Sequence, residues 1–198
     1  MSEVIPQARI GPNAVIRLIE ALDACENRAV TTNLFKLAGV EDFVANPPER
    51  MVEEVHVTKL HHRLRDVMGA TRARSVSWIA GLRTADYLLA NRIPKPVQRL
   101  LKILPARFAA FILLKAIGKH AWTFAGSGSF SWKLGSPIAL TVSDCPLCRG
   151  DHTKAPCCHY YAATFEKLFR ELIKPDARVT ETACIASGAQ ACRFEILW

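Results

Sequence analysis

Apolar positions recur at helical spacing through the first 119 residues and at strand spacing after them. Residues 12–24 (PNAVIRLIEALDA) and 31–38 predict two short helices, with Cys25 in the loop between. Residues 51–69 and 71–91 predict longer ones; Val52, Val55, Leu60, Leu64 and Val67 give the first an approximate apolar stripe. Trp78 and Tyr87 share a stripe of the second and are expected in the core, whereas His56, His61 and His62 lie on a charged helix and are expected to face solvent, with His56 also able to face a pocket. Pro94, Pro96 and Pro105 punctuate two further amphipathic segments, VQRLLKIL and ARFAAFILLKAIGKHA.

Beyond His120 the runs WTFAG, SFSWKL and IALTVSD are short, rich in β-formers and divided by Gly or Pro, which predicts strands. Gly126-Ser127-Gly128 reads as a hairpin turn rather than a phosphate loop. A helix over 157–174 follows, and then a hairpin of ARVTETACI and ACRFEILW. The expected fold is α+β: N-terminal helices, then an antiparallel sheet with an embedded helix and a zinc-stapled C-terminal hairpin. One domain is expected over 1–198, mainly helical over 1–119, with the sheet, helix and cysteine cluster in 120–198.

Cysteine usage sharpens this picture. Six of the seven cysteines fall in the last 54 residues. Cys145-Pro-Leu-Cys148 is a C-x-x-C knuckle, Cys157 and Cys158 stand where Pro156 starts a helix, and Cys184 and Cys192 lie symmetrically about Gly188. That symmetry predicts cross-strand neighbours with both sulfurs on one face. A helix N-terminus favours thiolate, the form that binds metal, and the three features together supply tetrahedral ligands for a structural zinc. The N-terminus lacks a secretory pattern, so the thiols are expected to stay reduced in a cytoplasmic protein. The longest apolar stretch, Phe108 to Gly118, contains Lys115 and is too short to span a bilayer.

The formal net charge is +8, and position matters more than the sum. No acidic residue occurs between Asp86 and Asp144, while Arg92, Lys95, Arg99, Lys102, Arg107, Lys115, Lys119 and Lys133 do. Such a stretch attracts anions: carboxylated small molecules, phosphates, nucleic acid or an acidic membrane face. Residues 97–117 have the cationic amphipathic character of a helix lying on a bilayer, so a peripheral membrane location stands beside the cytoplasmic one. No dinucleotide fingerprint, P-loop, nucleophile elbow or H-E-x-x-H helix is present.

The run NRIPKPVQRLLKILPARFAAFILLKAIGKHAWTFAGSGSF, followed by SDCPLC, PCCHYYAATFEKLF and ETACIASGAQACRFEI, resembles the 4-vinyl reductase proteins of bacteriochlorophyll biosynthesis. The C-terminal half resembles their vinyl-4-reductase domain. The resemblance implies a hydrophobic ligand cavity, a homodimer and a structural zinc. It matches Cys158, Cys184 and Cys192 to the metal, with Cys145 and Cys148 both candidates for the fourth ligand. It also implies a bacteriochlorophyll-biosynthesis protein that binds a Mg-tetrapyrrole or porphyrin and works with pathway enzymes, as accessory or carrier; nucleic acid is not an expected partner. The alternative is an 8-vinyl reductase using an external electron donor. His120 could ligate a central metal ion, Trp122 and Phe124 could stack on a macrocycle, and Arg99 or Arg107 could hold its carboxylates.

Overall fold

The computed structural model describes residues 8–198. A two-residue strand, β1 (Arg9–Ile10), leads into helices α1 (Asn13–Cys25), α2 (Arg28–Leu37) and α3 (Asp42–Ala45). Asn27 caps α2 by accepting a hydrogen bond from the Val30 amide at 3.1 Å. Strand β2 (Val52–Glu53) pairs antiparallel with β1. The long α4 (Glu54–Asn91) follows, then α5 (Lys95–Ile103), α6 (Ala106–Lys119) and the single turn α7 (Trp122–Ala125). Strands β3 (Ser129–Lys133) and β4 (Ile138–Ser143), helix α8 (His159–Leu172), and strands β5 (Arg178–Ala183) and β6 (Ala191–Leu197) complete the chain. The four-stranded sheet is antiparallel throughout, in the order β3-β4-β6-β5. The fold is α+β, as the change of period predicts.

Strand alternation sets the inner face of the sheet. Ile138, Leu140 and Val142 of β4 pair with Ile196, Phe194 and Cys192 of β6, and all six are buried. Helix α8 lies between this face and α4, burying Tyr160, Tyr161, Phe165, Leu168 and Phe169. Where α4 crosses α8, a Cβ on Gly81 would sit 2.3 Å from the Tyr160 carbonyl oxygen, so only glycine permits the approach. Two hydrogen bonds fix that crossing: the Thr164 hydroxyl donates to the Gly81 carbonyl at 3.1 Å, and Thr84 Oγ1 lies 2.7 Å from the Tyr160 hydroxyl. Helix α1 packs on the other side of α4.

The helical boundaries follow the sequence pattern closely, including a break in α4 at Gly69 (φ 71°, ψ 166°) between the two predicted segments. Several expectations need correction. WTFAG is the helical turn α7, not a strand; the Gly11 amide donates to the Thr123 carbonyl at 2.7 Å and holds it against the N-terminal strand. The glycines at 126 and 128 therefore join a helical turn to β3 rather than two strands. Cys25 is the exposed last residue of α1, not a loop residue. Tyr87 is only half-buried, with Arg17 and Arg92 over its ring.

The largest departure is His61, whose side chain is buried (1% exposed) rather than solvent-facing. Its ring meets Tyr160 edge-on, and its Nε2 has no hydrogen-bond partner. Burial, aided by the charges of Arg65 and His62, lowers its pKa to about 3. Because the folded value lies below the unfolded one near 6.5, the contribution of His61 is whole above pH 6.5 and is lost progressively as pH falls toward 3. Acid titration of the unfolding free energy should therefore slope downward below pH 6.5, and His61→Phe should flatten that slope. An unchanged slope in the variant would show that the acid sensitivity arises elsewhere.

Candidate metal centre

Three segments deliver the cysteines to one place. After β4, Asp144 takes a positive φ of 49°, and the chain turns so that the Cys148 and Arg149 amides donate to the Cys145 carbonyl at 3.2 and 2.9 Å. Both knuckle sulfurs then point inward. Cys158 is the N-cap of α8, and its amide donates to Glu181 Oε2 at 2.7 Å, tying the helix start to β5. Cys192 lies on the inner face of β6. Cys184 follows β5 and opens a 3-10 turn over Ile185–Ser187; the Ala183–Arg193 pairing, continued by one residue, sets Cys184 opposite Cys192, in line with their symmetry about Gly188. Their sulfurs approach to 3.9 Å.

All five predicted ligands are buried, each at most 1% exposed. Four sulfurs held about 2.3 Å from a shared tetrahedral centre stand about 3.8 Å apart. The Sγ separations are 3.3 Å for Cys148–Cys192, 3.7 Å for Cys148–Cys184, 3.7 Å for Cys158–Cys192 and 4.0 Å for Cys158–Cys184. Cys145 approaches Cys158 at 3.6 Å, and the half-buried Cys157 approaches Cys184 at 3.8 Å. The cluster can hold a metal ion, through Cys145, Cys148, Cys158 and Cys192 or through Cys158, Glu181, Cys184 and Cys192. Cys158 and Cys192 belong to both groups.

Sequence spacing did not reveal Glu181. Its Oε1 is buried without a hydrogen-bond partner, and burial followed by the neighbouring Cys184 charge pushes its carboxyl up to about 9. A carboxyl on β5, two residues before the strand ends, carries no local mark of its approach to a helix start.

Electrostatic support comes from α4. Arg65, mostly buried, bonds Asp151 Oδ2 at 2.6 Å and the Leu147 carbonyl at 2.8 Å, and Thr58 donates to the Pro146 carbonyl at 2.6 Å. These bonds clamp the knuckle onto α4. Burial pushes the Asp151 carboxyl up, but the Arg65 charge and hydrogen bond outweigh it and hold the carboxyl below its ordinary range.

The five predicted ligand-binding residues are dispersed. His120 caps the end of α6, with Nδ1 2.9 Å from the Ala116 carbonyl. Trp122 is 58% exposed nearby, whereas Phe124 turns inward onto Phe130, Tyr161 and Phe165. Arg107 and Arg99 are exposed at the other end of α6 and on α5. At 1.5 Å per residue, Arg107 and His120 stand about 20 Å apart along the helix. A shallow cavity of about 500 Å³ is lined by Arg9, Phe43, Arg50 and His56 among others, as the pocket expectation for His56 allows.

Residues 138–197, which carry three of the sheet's four strands, α8 and the sulfur cluster, match the V4R domain. The chain is thus a V4R-domain protein. It is 44% identical to the bacteriochlorophyll synthase 23 kDa chain of Cereibacter sphaeroides over 96% of this chain and 90% of that one. It is 39% identical to the chain of the same description from Rhodobacter capsulatus, over 95% and 86%. The chain belongs to the family of the bacteriochlorophyll synthase 23 kDa chain, and its role lies in bacteriochlorophyll biosynthesis. In architecture it is similar to an Fe(II) unliganded H-NOX protein mutant from K. algicida (TM-score 0.60, 7% identity, 95% of this chain and 96% of that one). It is also similar to a structure solved for modulating heme redox potential through protein-induced porphyrin distortion (TM-score 0.51, 12% identity, 96% and 100%). At such identities the likeness is one of fold.

The Arg65 clamp has a measurable weight. Arg65→Met leaves the Asp151 carboxylate and the Leu147 carbonyl without their donor and should cost about 3 kcal/mol of stability in denaturant unfolding. Asp151→Asn, which keeps an acceptor, should cost less. A loss below about 1 kcal/mol for Arg65→Met would mark the pair as an ordinary surface salt bridge.

Proposed function

We propose that this chain is an accessory protein of bacteriochlorophyll biosynthesis that binds a Mg-tetrapyrrole intermediate and presents it to pathway enzymes, on a scaffold closed by a structural zinc. The observation that carries the reading is the 44% identity, across nearly the whole chain, to a protein described as a chain of bacteriochlorophyll synthase. The fold supports it, since one of its likenesses is a structure concerned with heme and porphyrin distortion.

His120 has the chemistry for axial ligation. A carbonyl only accepts, so Nδ1 facing the Ala116 oxygen carries the proton, leaving the Nε2 lone pair on an exposed ring. Histidines that ligate metals are commonly oriented by this kind of backbone bond. Trp122 offers an exposed aromatic face two residues on, and Lys119 and Lys115 offer cations for carboxylates nearer than Arg107 or Arg99. Phe124 is not available for stacking, because its ring belongs to the aromatic cluster of Phe130, Tyr161 and Phe165.

For the metal, the separations favour Cys148 as the fourth ligand beside Cys158, Cys184 and Cys192, because Cys148 alone of the two knuckle cysteines is within 4 Å of both Cys184 and Cys192 by the measured contacts. Four thiolates leave no open position, so the zinc would contribute folding energy rather than chemistry. Elemental analysis should find one zinc per chain. Cys192→Ser or Cys184→Ser should lose it together with thermal stability, while Cys25→Ser changes neither. Native protein that is metal-free, with a melting temperature indifferent to chelator, would overturn the zinc assignment.

Soret titration separates the roles of His120. His120→Ala should weaken Mg-protoporphyrin binding roughly tenfold or more while leaving metal-free protoporphyrin nearly unchanged. Equal loss for both pigments would end the case for axial ligation. Reduction of a divinyl substrate by the purified protein with NADPH or ferredoxin would replace the carrier reading with the reductase one.

A further inference from the structure

Helices α5 and α6 meet at Leu104-Pro105, and large apolar side chains stand exposed around that corner. Successive residues of a helix are rotated by about 100°, so Val97, Leu100, Leu101 and Ile103 form one continuous arc of α5. Only Leu101 is buried; Val97, Leu100 and Ile103 are 39%, 49% and 80% exposed. Just past the corner, Phe108 opens α6 at 54% exposure. The adjoining arc of α5 carries Lys95, Arg99 and Lys102, all exposed.

The charge around this corner is unopposed. No acidic residue occurs between Asp86 and Asp144, and none of the eight lysines and arginines of that stretch forms an ion pair among the described residues. Elsewhere, Arg17, Arg28, Arg63, Arg65, Arg72, Arg83 and Arg149 all have carboxylate partners. Unpaired cations bordering a solvent-facing apolar arc call for an occupant that is acidic and has an apolar interior.

We propose that the α5–α6 corner docks on an anionic lipid surface, with Ile103, Leu100 and Phe108 entering the headgroup–acyl boundary and Lys95 and Lys102 meeting lipid phosphates. The chemistry of the two arcs matches a bilayer interface: apolar tips gain by leaving water, and long cationic side chains reach outward to the headgroups. A second copy of this chain is disfavoured, because two surfaces of the same strong positive charge would face each other. No described helix is long and apolar enough to cross a membrane, so attachment is from one side.

Pigment-free protein sedimented with vesicles tests the proposal independently of tetrapyrrole binding. Vesicles of phosphatidylcholine with added phosphatidylglycerol should carry the protein down, phosphatidylcholine alone should not, and rising salt should release it. Lys95→Gln with Lys102→Gln should lower the partition constant roughly 30-fold, at about 1 kcal/mol per charge near the surface. Ile103→Ser should lower it roughly tenfold or more without moving the melting temperature, since that side chain is 80% exposed. Equal binding to both vesicle types, or to neither, overturns the proposal. So does tight binding to polyglutamate that Ile103→Ser leaves unchanged, which would assign the corner to an acidic protein. Concentration-dependent dimerisation abolished by Ile103→Ser would assign it instead to a second copy and equally overturn it.

Discussion

The crossing of α4 and α8 at Gly81 is the contact on which the remaining architecture depends. A backbone approach this close presses α8 between α4 and the sheet, and α8 is consequently buried on almost every side. Once that helix is placed, so is its first turn. Cys158 arrives beside Cys192 on the inner face of β6, and Glu181 reaches the helix start from β5. The sulfur cluster is thus assembled by packing at a distance from it. A metal would add to an arrangement that apolar burial has already drawn together, since the five sulfurs lie in the same continuous core as Phe169, Phe194 and Leu140.

Much of this was legible along the chain. Helices α1, α2, α5 and α6 and both halves of α4 are long enough for a 3.6-residue period to declare itself, and prolines mark the starts of α1, α5 and α6. The cysteine chemistry was legible too, because a knuckle, a helix start and a strand pair carry spacing that few other functions require. Short elements were harder. WTFAG is five residues, too few to distinguish a turn of helix from a strand, and the bond that decides the matter comes from Gly11, over a hundred residues earlier. His61 shows a different limit. Its neighbours in sequence are His62, Arg63 and Arg65, so composition argues for solvent, but the position falls on the inward face of α4 opposite Tyr160. CIASGAQAC shows the register about Gly188 but not the 3-10 turn that follows Cys184, since a glycine between two strand-like runs reads the same whether β5 runs on to the cysteine or, as here, ends one residue before it.

Charge divides the molecule as clearly as packing does. Around the sulfur cluster, cations are paired and working: Arg65 holds the knuckle, and Arg149 bridges Glu54 and Asp144. Along α5 and α6 the cations face water and form no ion pair among the described residues. The two regions share a chain and a core but follow different electrostatic rules, one closed on itself and the other open to the surroundings.

Gly69 has a consequence for how tightly those regions are coupled. Its positive φ sits at an exposed point where α4 changes course, and a side chain placed there would meet nothing within 4 Å. Before it, α4 answers to the knuckle through Thr58 and Arg65; after it, to α8 through Gly81 and Thr84. A continuous helix would transmit any displacement of the knuckle as a rigid lever into the core. A joint at Gly69 turns that lever into two shorter arms, so strain at the sulfur end can be absorbed by a change of angle before it reaches the crossing with α8.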